Sequence, residues 1–131
     1  MIAGVLAACV LAGCNPVKQD RMTDTLQNAT NSYQNALRWG YFENAYSHLP
    51  PDRRSNTLSS ETLEGLRLTG YDVIQPLVIN AESETATQIV AIDYLYEDRQ
   101  VVKQLKDRQL WRYDAEKKTW WLESGLPVFE R

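Results

Sequence analysis

Every charged side chain of this 131-residue chain lies after position 14. Residues 1–14 are Met, Ile, Ala, Gly, Val, Leu and Cys only. That break decides which part of the chain can fold as a domain. An uncharged apolar run has no polar face to give to water, whereas the remainder mixes apolar and charged residues as a core and a wet surface require. The run 2–11 is ten residues long. It is too short to span a bilayer, which takes about 20 residues, and it matches the apolar region of a secretion signal. The expected organisation is a signal over 1–13, a polar tether over 14–20 and a single domain over 21–131.

Leu11, Ala12, Gly13 and Cys14 close the run. Small residues before the cut suit the pocket of a signal peptidase, and the four together resemble the lipobox of bacterial lipoproteins. The resemblance implies cleavage before Cys14, which then becomes the N-terminus and carries the covalent lipid (diacylglycerol and palmitate). It also implies an anchor on the periplasmic side of the envelope, and Asn15 in place of Asp implies the outer membrane. The similar Leu6-Ala7-Ala8-Cys9 fits less well, because more apolar residues follow it. No Lys or Arg precedes the run, although a signal carries positive charge there. Met1 is therefore expected to be an internal start, with the basic segment upstream. Cleavage would discard Cys9, leaving no pair for a disulfide and no cysteine metal site. No cofactor beyond the lipid is expected.

The 14 basic and 17 acidic side chains give a net charge of −3 and are spread along the chain. There is no basic stripe for nucleic acid and no polybasic patch, so a nucleic-acid partner is not expected. The membrane contact expected is through the lipid.

Met22, Leu26, Ala29, Tyr33, Ala36 and Leu37 recur at spacings of three and four, one face of a helix. Asp20 or Thr23 is placed to cap it and Gly40 to end it. A second helix is expected over 42–49, stopped by Pro50 and Pro51, and a third over 58–66. From Tyr71 the composition turns β-branched and aromatic. Strands are expected over 71–79, 85–97, 100–113 and 119–123, with a last short pairing over 126–129. Pro76 points to an edge or bulge in the first strand. Helices first and a strand meander after them is the α+β layout, with helices packed on a curved antiparallel sheet of about four strands.

Residues 36–46, together with Leu110-Trp111-Arg112-Tyr113 and Thr119-Trp120-Trp121-Leu122, resemble the helix junction and closing hairpin of nuclear-transport-factor-two-like domains. Those domains have the cystatin-like α+β cone. The resemblance covers about residues 20 to 124. It implies a fold that hosts proton-transfer enzymes and many non-catalytic binding modules, so function rests on the site.

Asp93, inside the apolar stretch 89–96, is the candidate general base of a pocket enzyme of isomerase or dehydratase type. The competing expectation pairs it with Lys103, Lys106 or Arg108 on the next strand. No second acid or nucleophile stands near it in sequence. His48, the single histidine, makes neither a triad nor a metal site and is expected at a helix end. Trp39, Phe42, Tyr94, Trp111 and Trp120 are the candidate pocket-lining residues, with core packing as the commoner use of such side chains. Trp120 and Trp121 face opposite ways by alternation. Two apolar faces on the second strand point to a covered outer sheet face, in a homodimer or against an envelope protein. The preferred expectation is a membrane-anchored, non-catalytic binding or scaffolding module of the cell envelope. The alternatives are the pocket enzyme and an accessory subunit of an envelope assembly.

Overall fold

The computed structural model describes residues 16–54 and 60–131. Leu11, Ala12, Gly13 and Cys14 lie outside the described residues, as do Cys9 and Asn15. The element order is α1 (Pro16–Arg38), α2 (Phe42–Tyr46), a 3-10 turn (Pro51–Arg53), α3 (Ser60–Leu63), then β1 (Leu66–Asn80), β2 (Thr85–Tyr96), β3 (Lys103–Asp114) and β4 (Thr119–Leu122). The strands form one open antiparallel sheet in the order β1-β2-β3-β4, and α1 packs against it. This is an α+β fold, with one long helix and short helical pieces, the second and third shorter than the expected spans 42–49 and 58–66.

Helix α1 begins at Pro16, so most of the stretch expected to be a tether is helical. Met22, Leu26, Tyr33, Ala36 and Leu37 are buried as their spacing demands, and Thr30 is buried among them. Trp120 fastens the helix to β4: its indole N–H lies 3.1 Å from the Met22 carbonyl and 3.2 Å from the Thr25 hydroxyl.

The helix stops in a Schellman turn. Gly40 takes φ +76°, the Tyr41 amide bonds the Ala36 carbonyl at 2.8 Å, and the Gly40 amide bonds that of Leu37 at 3.3 Å. Helix α2 ends at Tyr46, short of its expected end, and a turn follows to Pro50.

β1 is longer than expected and irregular. Its fifteen residues lie against the twelve of β2, with register shifts between Leu68 and Gly70, Val73 and Gln75, and Gln75 and Val78. Pro76 falls inside the last shift, on an edge strand, where a missing N–H breaks no ladder bond. β2 and β3 pair without interruption from Thr85↔Arg112 to Tyr94↔Lys103. The segment 126–129 forms no strand. It packs instead: the Phe129 ring meets Tyr94 edge-on at 5.1 Å, and the Phe129 and Glu130 carbonyls accept the hydroxyls of Tyr96 and Tyr94.

Candidate functional site

Alternation along β3 and β2 decides which side chains face α1. Trp111 is buried on the inner face, so Gln109 and Asp107, two and four residues before it, share that face. Across the ladder Gln88 sits opposite Gln109 and Val90 opposite Asp107. All three polar residues are buried. They satisfy one another: the Gln88 amide donates to Gln109 Oε1 at 2.7 Å, and the Trp111 indole donates to the same oxygen at 3.0 Å. The Gln109 amide in turn donates to the Asp107 carboxylate at 3.0 Å and to the Tyr71 hydroxyl at 2.9 Å.

Tyr33 reaches this network from α1, its ring edge-on to Trp111 at 5.7 Å. Among the described residues its buried hydroxyl has no hydrogen-bond partner. Burial pushes the Asp107 carboxyl up to about 6, against the lowering effect of the Gln109 amide. Burial likewise pushes Tyr71 up to about 12 and Tyr33 well above its ordinary range. The result is an acid that titrates near neutrality beside two tyrosine hydroxyls, one of them unpartnered. Such an arrangement can hold a proton or bond a small polar group.

Asp93 is elsewhere. It shares the outer face with Ala91 and Leu95, opposite to buried Val90, Ile92 and Tyr94. It accepts a 2.9 Å bond from Gln104, its cross-strand neighbour, and not from Lys103, Lys106 or Arg108. Gly70 of β1 leaves the room it occupies, since a Cβ at Gly70 would meet the carboxylate at 2.8 Å. The carboxyl facing the helix is Asp107. A period-two count back from Trp111 carries that signal in the sequence, and a glutamine amid the apolar residues of β2 is its counterpart.

The aromatic candidates divide. Trp111, Trp120 and Tyr94 are core residues, and Phe42 packs against them half-buried. Trp121 lies on the other face of β4, half-buried, with the Arg54 guanidinium 5.7 Å from its ring. Trp39 is 71% exposed and Tyr41 62%. The Schellman turn puts both on the surface, where Trp39 separates two open grooves. One, of about 540 Å3, has Arg38, Arg67 and Glu97 in its wall. The other, of about 500 Å3, is walled by Trp39, Tyr41, His48 and neutral polar side chains of α1, α2 and the turn after α2.

His48 lines that second groove, its Nε2 3.3 Å from the Ser32 hydroxyl and its ring edge-on to Tyr33 and Trp111. Burial, and then the nearby Arg54, lower its pKa. Among the described residues no three His, Cys, Asp or Glu side chains are grouped to hold a metal, and no helix is long and apolar enough to cross a membrane. The outer sheet face is not an apolar plate: Asp72 and Lys106 flank Ala91, and Arg108 lies beside Ile89.

No protein-family model, curated protein or solved structure matches this chain.

Proposed function

We propose that this protein is an envelope lipoprotein, anchored through Cys14, whose single domain is a non-catalytic binding module. The observation that carries the binding reading is the exposure of Trp39 and Tyr41 at a rigid turn between two grooves. Large aromatic rings left in water at a fixed position are what recognition surfaces use. The lipobox residues support the anchor, and α1 starting at Pro16 leaves Cys14 only two residues from a rigid element. Metabolic labelling with a radioactive fatty acid tests the anchor. The wild-type chain takes up label and fractionates with membranes, whereas Cys14→Ala takes up none and leaves them. Label retained by Cys14→Ala refutes the anchor.

One observation favours a second reading, proton transfer by the buried polar cluster around Asp107. Asp107, titrating near 6, sits close to the unpartnered Tyr33 hydroxyl. Asp93, on the outer face, does not have that setting. Binding is preferred because Gln109 and Gln88 already saturate much of the Asp107 network.

A further inference from the structure

We infer that the neutral groove beside Trp39 and Tyr41 is a glycan-binding site, taking the pyranose rings of an uncharged oligosaccharide. The inference names the ligand class of the proposed binding module and so rests on that reading, but not on the lipid anchor.

A pyranose presents two chemistries at once. Its C–H faces are apolar plates, and its rim is a ring of hydroxyls that each donate and accept. A site for it therefore needs an exposed aromatic plate and short neutral side chains with both donors and acceptors around it. Trp39 and Tyr41 supply the plates, held outward by the glycine turn at Gly40. Indole and phenol rings are apolar on the face and polar at the edge, which matches that mixed surface. Asn35 and Asn44 supply amides, and Ser32 and Ser47 supply hydroxyls, all on the groove wall. Among the described residues the side-chain amides of Asn35 and Asn44 make no hydrogen bond, so their donors and acceptors are available to a ligand. Ser32 and Ser47 are already in use, bonded to His48 and to the Asn44 carbonyl, and hold the wall in shape.

The same wall argues against other ligand classes. No Lys, Arg, Asp or Glu stands among its described residues, and burial and Arg54 hold its one titratable side chain, His48, towards the neutral form, so the wall carries no fixed positive charge for a phosphate or a nucleic-acid backbone. Arg54, whose charge acts on His48, is spent on the carbonyls of Ser47 and Leu49. The wall also lacks Leu, Ile, Val and Met, the residues that an amphipathic peptide helix would need. The charged groove on the other side of Trp39 is a different environment, with Arg67 and Glu97 paired at 3.7 Å. Finally, the groove is open to solvent and its volume of about 500 Å3 is in the range of small-ligand sites. An open trough admits an internal stretch of a polymer as readily as a chain end.

The test is isothermal titration calorimetry of the mature acylated protein in detergent micelles. The probes are chitohexaose, which carries acetamido groups, and maltohexaose, which does not. Saturable binding of either supports the site, and the preference between them identifies which rim chemistry it reads. Trp39→Ala should weaken that binding about tenfold or more, and Asn44→Ala by a smaller factor. Both side chains are exposed, so the unfolding midpoints should stay at the wild-type value. Failure of both sugars to bind overturns the inference, as does Trp39→Ala binding like wild type. The two readings fail separately. Acylated protein that binds neither sugar removes the glycan site alone, whereas sugar binding by protein that takes up no acyl label removes the anchor alone.

Discussion

Asp107 and Tyr33 are two polar groups that the core holds at a cost, and each cost has its own sign. Tyr33 buries a hydroxyl without a partner among the described residues. An unpaired buried hydroxyl costs on the order of 1–3 kcal/mol, so Tyr33→Phe should leave stability unchanged or raise it by about 1 kcal/mol. A urea melt reads this, and a loss of more than about 1 kcal/mol would show that the hydroxyl has a bonded partner after all. Asp107 works through pH. Its folded carboxyl titrates near 6, above its ordinary 3.8. Between those values the folded chain keeps a proton that the unfolded chain has released, so folding is favoured less as the pH rises through the window. Above pH 6 the full penalty applies, up to about 3 kcal/mol. Asp107→Asn should therefore be more stable than wild type at pH 7.5, with the difference vanishing towards pH 4. Tyr33 from α1 and Tyr71 from β1 face the carboxyl and stay neutral throughout this range. His48, with a lowered pKa, contributes the opposite slope, because its neutral folded form loses stability as the pH falls. Comparing variant with wild type at each pH cancels it.

At the scale of elements, the turn after α1 is where local chemistry sets up the proposed site. Gly40 adopts φ +76° with open space around its missing Cβ, so a side chain there meets conformational strain alone. Gly40→Ala should cost about 1 kcal/mol in stability and should also disorder the aromatic pair. The expected reading is a drop in near-ultraviolet circular dichroism along with the melting midpoint; an unchanged midpoint would mean that the turn does not need glycine. Much of this element was legible beforehand. The three-and-four spacing from Met22 to Leu37 marks the inner face of α1, and Gly40 marks its end. The residues 16–20 read as tether because their polar side chains say nothing against a helix and nothing for one. β1 was read too short at both ends. Its three register shifts break the alternation on which strand reading depends, so Leu66 and Leu68 lie on the buried face while Val73, opposite Val90, is half exposed. The interior acid was missed for a related reason. Asp93 drew attention by sitting in an apolar run, whereas Asp107 hid among charged neighbours that alternate with it, Lys106 and Arg108. Only the register against β2 assigns those neighbours to the outer face.

For the molecule as a whole, the proposed anchor and the course of α1 together define an orientation. Trp120 bonds the Met22 carbonyl, so the N-terminal part of α1 lies at the end of the sheet where β3 turns into β4. The β1–β2 turn is at that same end, since the Tyr113 amide bonds the Glu84 carbonyl at 2.8 Å. The other end of α1 meets the start of β1 and the end of β2, where Arg38, Trp39, Leu66 and Glu97 line one groove. The helix has 23 residues, which at 1.5 Å per residue makes it about 34 Å long. The two residue-to-residue steps from Cys14 to Pro16, with Asn15 between them, add at most about 7 Å of chain. An acylated Cys14 would then hold the β3–β4 turn beside the lipid and present Trp39 on the far side, towards whatever polymer lies beyond the headgroups. Fluorophores attached in proteoliposomes through Lys117→Cys, in that turn, and Arg99→Cys, at the other end, should report this. Energy transfer to a lipid-bound acceptor should be strong from position 117 and weak from position 99. Equal transfer from both would mean that the domain lies flat or tumbles on its anchor, and the grooves beside Trp39 would then have no fixed direction to face.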